Sequence, residues 1–216
     1  PEEHILDPNL DLLNNYVDII KLVTIAPEKP GAKEFIEEMN KSGIVTSVGH
    51  STATYEDIQK SYKWGLSHTT HLFNGMVGLH HRKPGIVGAV LTNDMTVELI
   101  ADLIHLSPVI LDLVSKIKNE DEIILVTDSM RAAGLEDGEY SLGGQKVIVK
   151  EGEARLETGS LAGSTLTLDR AVKNMYNSTE LELNSVIKMV TLNPAKLLEM
   201  KNKKGKIQEY FDADLV

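Results

Sequence analysis

The chain has 216 residues, 42% hydrophobic and 25% charged, which suits one sizeable domain with a real core and excludes disordered and fibrous classes. It contains no cysteine, so disulfides and thiolate metal sites are excluded, and any metal must be held by His and carboxylate groups. A net charge of −10 argues against nucleic acid as the main partner, although arginine and backbone amides still allow an anionic small molecule. No apolar run approaches the ~20 residues of a membrane span. No secretory signal is visible, and Pro1-Glu2-Glu3-His4 reads like mid-protein sequence. A cytoplasmic enzyme with no membrane partner is the expectation.

Taken in order, Leu10, Leu13, Val17 and Ile20 give residues 8–20 a helical period. Leu22 to Ala26 is a strand stopped by Pro27. Glu28, just after it, reads as a solvated or supporting carboxylate rather than a metal ligand. A helix follows from about Gly31 to Ser42, with Phe35, Ile36 and Met39 inward and Gly43 as its stop. Ile44 to Val48 is a buried strand. Thr54-Tyr55-Glu56-Asp57 is a capping box that opens a helix over 55–63, ended by Trp64-Gly65. Leu66 to Thr70 is the next strand.

A glycine-rich basic loop, Asn74 to Gly85, comes after it and holds His80, His81, Arg82 and Lys83. Such a loop suits an anion, gripped by backbone amides and a bidentate arginine, or plain solvent. A helix over 86–93 and a strand over 96–101 follow. Ser107-Pro108 starts a helix to about Lys118, and Ile123 to Thr127 is a further strand. Residues 139–157 alternate in the β manner, broken at Gly143-Gly144 and Glu151-Gly152, which reads as a hairpin or three-stranded excursion. Ser160 to Ser164 is a small-residue loop, suited equally to closing on a ligand or starting the helix at 165–177. Helices at 185–191 and from Asn193-Pro194 come next. Lys203 to Ile207 gives a turn and a β start, and Asp212 to Val216 reads as an apolar strand.

The informative pattern lies at the strand ends. His50, His71, His105 and Asp128 each follow a buried strand, so all four are placed at the carboxyl edge of a parallel sheet, where α/β enzymes keep their sites. Three histidines and an aspartate on one rim are the ligand and base set of a hydrolytic metal site. Five strands would fit an open doubly wound sheet. Functional groups at four successive strand ends fit a barrel rim better, because an open sheet gathers its site at one switch point.

Gly49-His50-Ser51, Thr70-His71-Leu72-Phe73-Asn74-Gly75-Met76, His80 to Gly85, Ile100 to His105, Val126-Thr127-Asp128-Ser129 and Leu161-Ala162-Gly163-Ser164 together resemble the N-acetylglucosamine-6-phosphate deacetylases, a family of the amidohydrolase superfamily. The resemblance runs along essentially the whole chain in the family's motif order. It implies an α/β fold: a partial (β/α)8 TIM-like barrel with about five β/α units and a β excursion on its rim. Residues 1–200 would be the incomplete barrel, and 201–216 the start of the return into a small β-sandwich domain. The chain begins after the family's Glu-Gly-Pro segment, which supplies a metal-binding glutamate. It also begins after a His-x-His strand that some members use for a second metal.

The resemblance also implies roles. His50 and His71 bind a divalent metal ion, zinc or iron, and Asp128 is the catalytic aspartate. His105 contacts the sugar. Asn74 and the Gly75 backbone bind phosphate together with Arg82, which reaches the partner's site in a homodimer. His81 is a further phosphate candidate, and Leu161 borders the acetyl group. His4, His68 and His80 are left structural. The implied reaction is hydrolysis of the acetamide of N-acetylglucosamine 6-phosphate in amino-sugar breakdown. Open alternatives are a cyclic-amide hydrolase or deaminase that shares His50, His71 and Asp128, a non-catalytic sugar-phosphate-binding relative, and an open-sheet fragment working only in an assembly.

Overall fold

The computed structural model describes residues 6–13 and 15–215. His4 and Val216 therefore lie outside the described residues. The chain divides into two compact units, residues up to Val97 with 195–204 and 208 onward, and residues 98–194 with 205–207. Among the described residues no helix is long and apolar enough to cross a membrane.

The first unit is a run of parallel β/α units. Strand β1 (Leu22–Ile25) leads to helix α1 (Ala32–Lys41), β2 (Val45–Val48), helix α2 (Tyr55–Trp64), the short β3 (His68–Thr69) and helix α3 (Gly85–Leu91). β4 (Thr96–Ile100) follows. Helix α1 buries Phe35, Ile36 and Met39, as its period predicts. Thr54 caps α2 in a full capping box: its hydroxyl accepts the Asp57 amide while the Asp57 carboxylate accepts the Thr54 amide. Gly65, at φ 115°, ends the helix in the left-handed conformation.

β1, β2, β3 and β4 pair in parallel, with Ile25 opposite Val48, Val48 opposite Thr69, and Thr69 opposite Val97. The five-stranded sheet runs β1-β2-β3-β4-β5, with β5 at Ile123–Val126. Neighbours in sheet order are neighbours in the chain, as in a (β/α)8 barrel. A doubly wound sheet reverses direction at its switch point.

The second unit holds helix α4 (Pro108–Ile117), β5, an antiparallel sheet and helices α5 (Leu168–Ser178) and α6 (Leu183–Lys188). The antiparallel sheet consists of β6 (Gly138–Leu142), β7 (Gln145–Lys150) and β8 (Glu153–Leu156) in that order. The excursion is thus three-stranded. Its turns, Gly143-Gly144 and Glu151-Gly152, have positive φ at both residues, as type I′ hairpin turns require. Val147, Val149 and Ala154 pack with Met130, Ala132 and Ala162 beneath it.

Four expectations need correction. The helix expected over 8–20 is a 3₁₀ turn at Leu10–Leu12 followed by isolated turns. Asn9 accepts the Asp11 amide and closes a short turn, and none of the described residues 6–20 is buried, so no packed face sustains a helix. The strand expected over 66–70 is shorter, His68–Thr69, with the Ser67 and Thr70 amides still donating to the Thr46 and Val48 carbonyls. The helix expected from 165 begins at Leu168, because Ser164 and Leu166 bond to the end of β5 instead. No strand forms among the described residues 201–215. Lys204 instead clasps Asp212 at 2.9 Å, together with Asp214, and holds the tail as a loop.

Glu28 ties the turn after β1 to the turn after β2. Its carboxylate accepts the Ser51 hydroxyl at 2.6 Å, the Thr52 amide at 2.7 Å and the Thr52 hydroxyl at 3.1 Å. Burial pushes this carboxyl up, but those hydrogen bonds outweigh burial and leave it below its ordinary value. A carboxylate with a depressed folded value contributes stability that is present above its unfolded value, about 4.3, and lost as pH falls through the folded value. Glu28→Gln should therefore lower stability near pH 7 by about 1 kcal/mol, allowing for partial solvent screening. Urea unfolding at stepped pH should show the gap closing in acid. A gap independent of pH would show that the charge is not its source.

Candidate active site

Because Val48 lies opposite Thr69, two more residues along each strand bring His50 and His71 to the same level of adjacent strand ends. Their Nε2 atoms are 3.0 Å apart, with ring centroids 4.7 Å apart and planes at 89°. His50 is exposed and His71 is 7% exposed, so the pair spans the step from core to solvent. Both leave their strands in the left-handed region, at φ 47° and 33°. Histidine enters that region more readily than most residues, yet two such neighbours at one edge mark a constrained site.

The packing around the pair is tight. Gly49 admits close contact, because a Cβ there would lie 2.8 Å from Thr24 Cγ2 and 3.1 Å from Thr70 Cβ. Thr70 Oγ1 lies 2.7 Å from Ser47 Oγ and 2.9 Å from Thr24 Oγ1, so a hydroxyl cluster joins the ends of β1, β2 and β3. Gly75, at φ 59°, backs onto the His50 ring, and a Cβ there would lie 2.9 Å from His50 Nδ1. The Gly75 carbonyl accepts the Ser51 amide at 3.1 Å, stitching the two histidine loops together. Asn74 Nδ2 donates to the carbonyls of His71 and Leu72, at 3.2 and 3.3 Å. A cleft of about 660 Å³ opens beside His50, with Thr24, Glu28, Gly49 and Thr52 in its wall.

The donor set and spacing fit a metal. Two ligands each about 2.0–2.1 Å from one tetrahedral ion stand about 3.3 Å apart, close to the spacing of the two imidazoles. No group of three or more His, Asp or Glu that would hold a metal occurs among the described residues. The described residues offer a two-imidazole pair. On the basic loop, Arg82 Nη1 lies 2.6 Å from His81 Nε2, so the guanidinium donates and the ring accepts. The His80 and His81 rings lie with centroids 4.3 Å apart and planes tilted by 34°, and both residues and Arg82 are exposed. His68 is fully buried, with Nδ1 2.7 Å from Thr96 Oγ1, the structural role expected of it.

In the second unit, His105 is paired with Asp102, Nδ1 to Oδ2 at 2.6 Å. Asp128 leaves β5 at φ 48° and is exposed. The 161–166 loop is bonded along this strand end: the Ser164 amide donates to the Asp128 carbonyl at 2.8 Å and the Met130 amide to the Ser164 carbonyl at 2.9 Å. The Ser164 hydroxyl donates to the Thr127 carbonyl. The Ala162 amide donates to Ala154 on β8, which fixes Leu161 beside the excursion. Of the two supporting carboxylates, Glu28 was expected as one from the sequence and Asp102 was not. Asp102 had a signal, an Asp three residues before a strand-end His. The partners of Glu28, Ser51 and Thr52, lie 23 and 24 positions along the chain and carry no local sequence signal.

Comparison with known proteins agrees with this architecture. N-acetylglucosamine-6-phosphate deacetylase of Lysinibacillus sphaericus is 42% identical over 221 residues, an alignment covering 100% of this chain and 57% of that protein. N-acetylgalactosamine-6-phosphate deacetylase of Escherichia coli O157:H7 is 41% identical over 180 residues, 83% of this chain and 48% of that protein. Among solved structures, N-acetylglucosamine-6-phosphate deacetylase of Thermotoga maritima superposes with a TM-score of 0.92 at 42% identity, over 99% of this chain and 58% of that one. A mutant of the Mycobacterium smegmatis deacetylase in complex with N-acetyl-D-glucosamine-6-phosphate gives 0.90 at 31% identity, over 95% and 56%. The chain thus spans a little over half the length of the first of these relatives. Its fold is part of a TIM-type barrel. Residues 17–216 match the Amidohydrolase family, and the chain belongs to that family.

Proposed function

We propose that this chain carries the greater part of the catalytic centre of a metal-dependent deacetylase that hydrolyses the acetamide of N-acetylglucosamine 6-phosphate to glucosamine 6-phosphate and acetate. The observation that carries the reading is the His50–His71 pair, with Nε2 atoms 3.0 Å apart at the ends of adjacent strands. Both imidazoles would hold one divalent ion, zinc or iron, through those nitrogens, and metal binding weakens in acid because the ligands must be neutral. The ion, when bound, supplies Lewis acidity and a nucleophile potent at neutral pH.

The remaining chemistry falls to the chain's own groups. Asp128 accepts a proton from the attacking water and delivers it to the departing amine. His105 orients the sugar. Arg82, His81, Asn74 and the Gly75 amide hold the phosphate, whose remote binding energy positions the amide. For that, Asn74 must turn its amide hydrogens away from the backbone carbonyls they now bond. Leu161 borders the acetyl group. Arg82 works across a homodimer, and a phosphorylated substrate suits a cytoplasmic enzyme. Residues 1–200 belong to the catalytic barrel and 201–216 to the start of a return into a small β-sandwich domain.

Four measurements test this reading. Acetate release should occur from N-acetylglucosamine 6-phosphate and be far slower from the unphosphorylated sugar. Arg82→Ala should reduce kcat/KM about 10–100-fold on the phosphorylated sugar alone. Equal losses on both sugars would make Arg82 structural, and no release from either with metal bound would point to another amide or amidine substrate. Asp128→Asn should retain metal and lose turnover by about 10²–10⁴-fold in steady-state assays, and near-normal turnover would remove Asp128 as the base. Gly75→Ala drives a Cβ against the His50 ring, so equilibrium dialysis should show metal held about 10–100-fold more weakly. Unchanged metal affinity would mean that His50 does not bind in the orientation described.

A further inference from the structure

The Asp102–His105 pair sets a property of the site that histidine alone leaves open. Both side chains are only 6% exposed. Asp102 Oδ1 accepts the Ile104 amide at 2.8 Å and the His105 amide at 2.7 Å, and Oδ2 faces His105 Nδ1 at 2.6 Å. The turn that makes this possible places Leu103 at φ 68° and is anchored at its start by Asn174 of α5, whose Nδ2 donates to the Ala101 carbonyl at 2.8 Å. Burial pushes the Asp102 carboxyl up, but the His105 ring and the two amides outweigh burial and hold it below its ordinary range. It is therefore ionised near neutral pH and can only accept hydrogen bonds.

We propose that Asp102 is a positioning residue that holds His105 as the Nδ1–H tautomer, so that the outer nitrogen, Nε2, accepts a hydrogen bond from a substrate hydroxyl. A neutral imidazole carries one N–H, and the carboxylate claims it at Nδ1. The other nitrogen then presents a lone pair. It complements a sugar O–H, which has a hydrogen to give, and opposes the acetamide carbonyl, which only accepts. The pair thus assigns His105 to a hydroxyl of the pyranose and away from the acetyl oxygen. The identity of the hydroxyl bearer rests on the deacetylase reading, but the tautomer does not.

Nitrogen-15 NMR of the metal-loaded protein at pH 8, with the ring assigned through His105→Gln, reads the tautomer directly. The wild-type ring should be protonated at Nδ1 and bare at Nε2. In Asp102→Asn, Oδ1 still accepts both amides while an NH₂ replaces Oδ2 and donates to Nδ1, so the proton should move to Nε2. With the fold retained by circular dichroism, kcat/KM for N-acetylglucosamine 6-phosphate should fall about 10–100-fold, the effect of one reversed hydrogen bond. One monodeoxy analogue should show no such fall, which identifies the hydroxyl. A wild-type ring protonated at Nε2, or at both nitrogens, overturns the proposal even if the variant fails to fold. So does a variant ring that keeps its wild-type protonation, or a flipped ring with unchanged kinetics. Wild-type protein that releases no acetate would defeat the deacetylase reading alone, while the ring protonation would still decide the role of Asp102.

Discussion

The parallel register of β2 and β3 is the constraint on which the His50–His71 pair depends. Val48 opposite Thr69 is what makes His50 and His71 neighbours, and a slip of one residue would send one ring to the other face. Several small contacts protect that register. The hydroxyls of Thr24, Ser47 and Thr70 cluster within hydrogen-bond distance, and Gly49 leaves room for them. Beyond the strands the backbone turns left-handed at both histidines, which lifts the rings out of the ladder and points their Nε2 atoms at each other.

Two of the three strand-end histidine loops, those of His50 and His105, also have a carboxylate clamp. Glu28 gathers the Ser51 and Thr52 donors just after His50, and Asp102 gathers two amides and the ring of His105 itself. In both cases burial alone would favour the protonated acid, and a dense set of donors reverses the balance. The carboxylates are therefore permanent acceptors near neutral pH. The chain is acidic overall, yet the charge nearest these loops serves to fix donors in place. The basic loop carrying Arg82 follows the same economy, with His81 steadying the guanidinium through an acceptor nitrogen.

The three-stranded excursion serves position rather than chemistry. Its last strand bonds to Ala162, and Ser164 in turn bonds to the backbone of Thr127 and Asp128 and to the amide of Met130. Gly163 is needed at φ 65° because a Cβ would come within 3.0 Å of the Asp128 carbonyl. The loop that carries Leu161 is thereby held at a strand end instead of extending α5 by another turn.

The strand–helix alternation, the α2 capping box, the glycine turns of the excursion and the strand-end positions of His50, His71, His105 and Asp128 were all legible in the sequence. Each rests on local physics: periodicity, capping, positive φ and the boundary between apolar run and polar residue. Tertiary structure decided the rest. The period over 8–20 promised a helix, but helices are stabilised by a packed face and none of the described residues there is buried. The tail promised a strand, but a strand needs a partner to bond, and Lys204 holds it as a loop instead. Which histidines meet, which carboxylates hold them and which ring nitrogen carries the proton depend on groups 3 to 24 positions apart brought within 2.6 to 3.0 Å. Local sequence names the groups, and only strand register and loop packing set the distances between them.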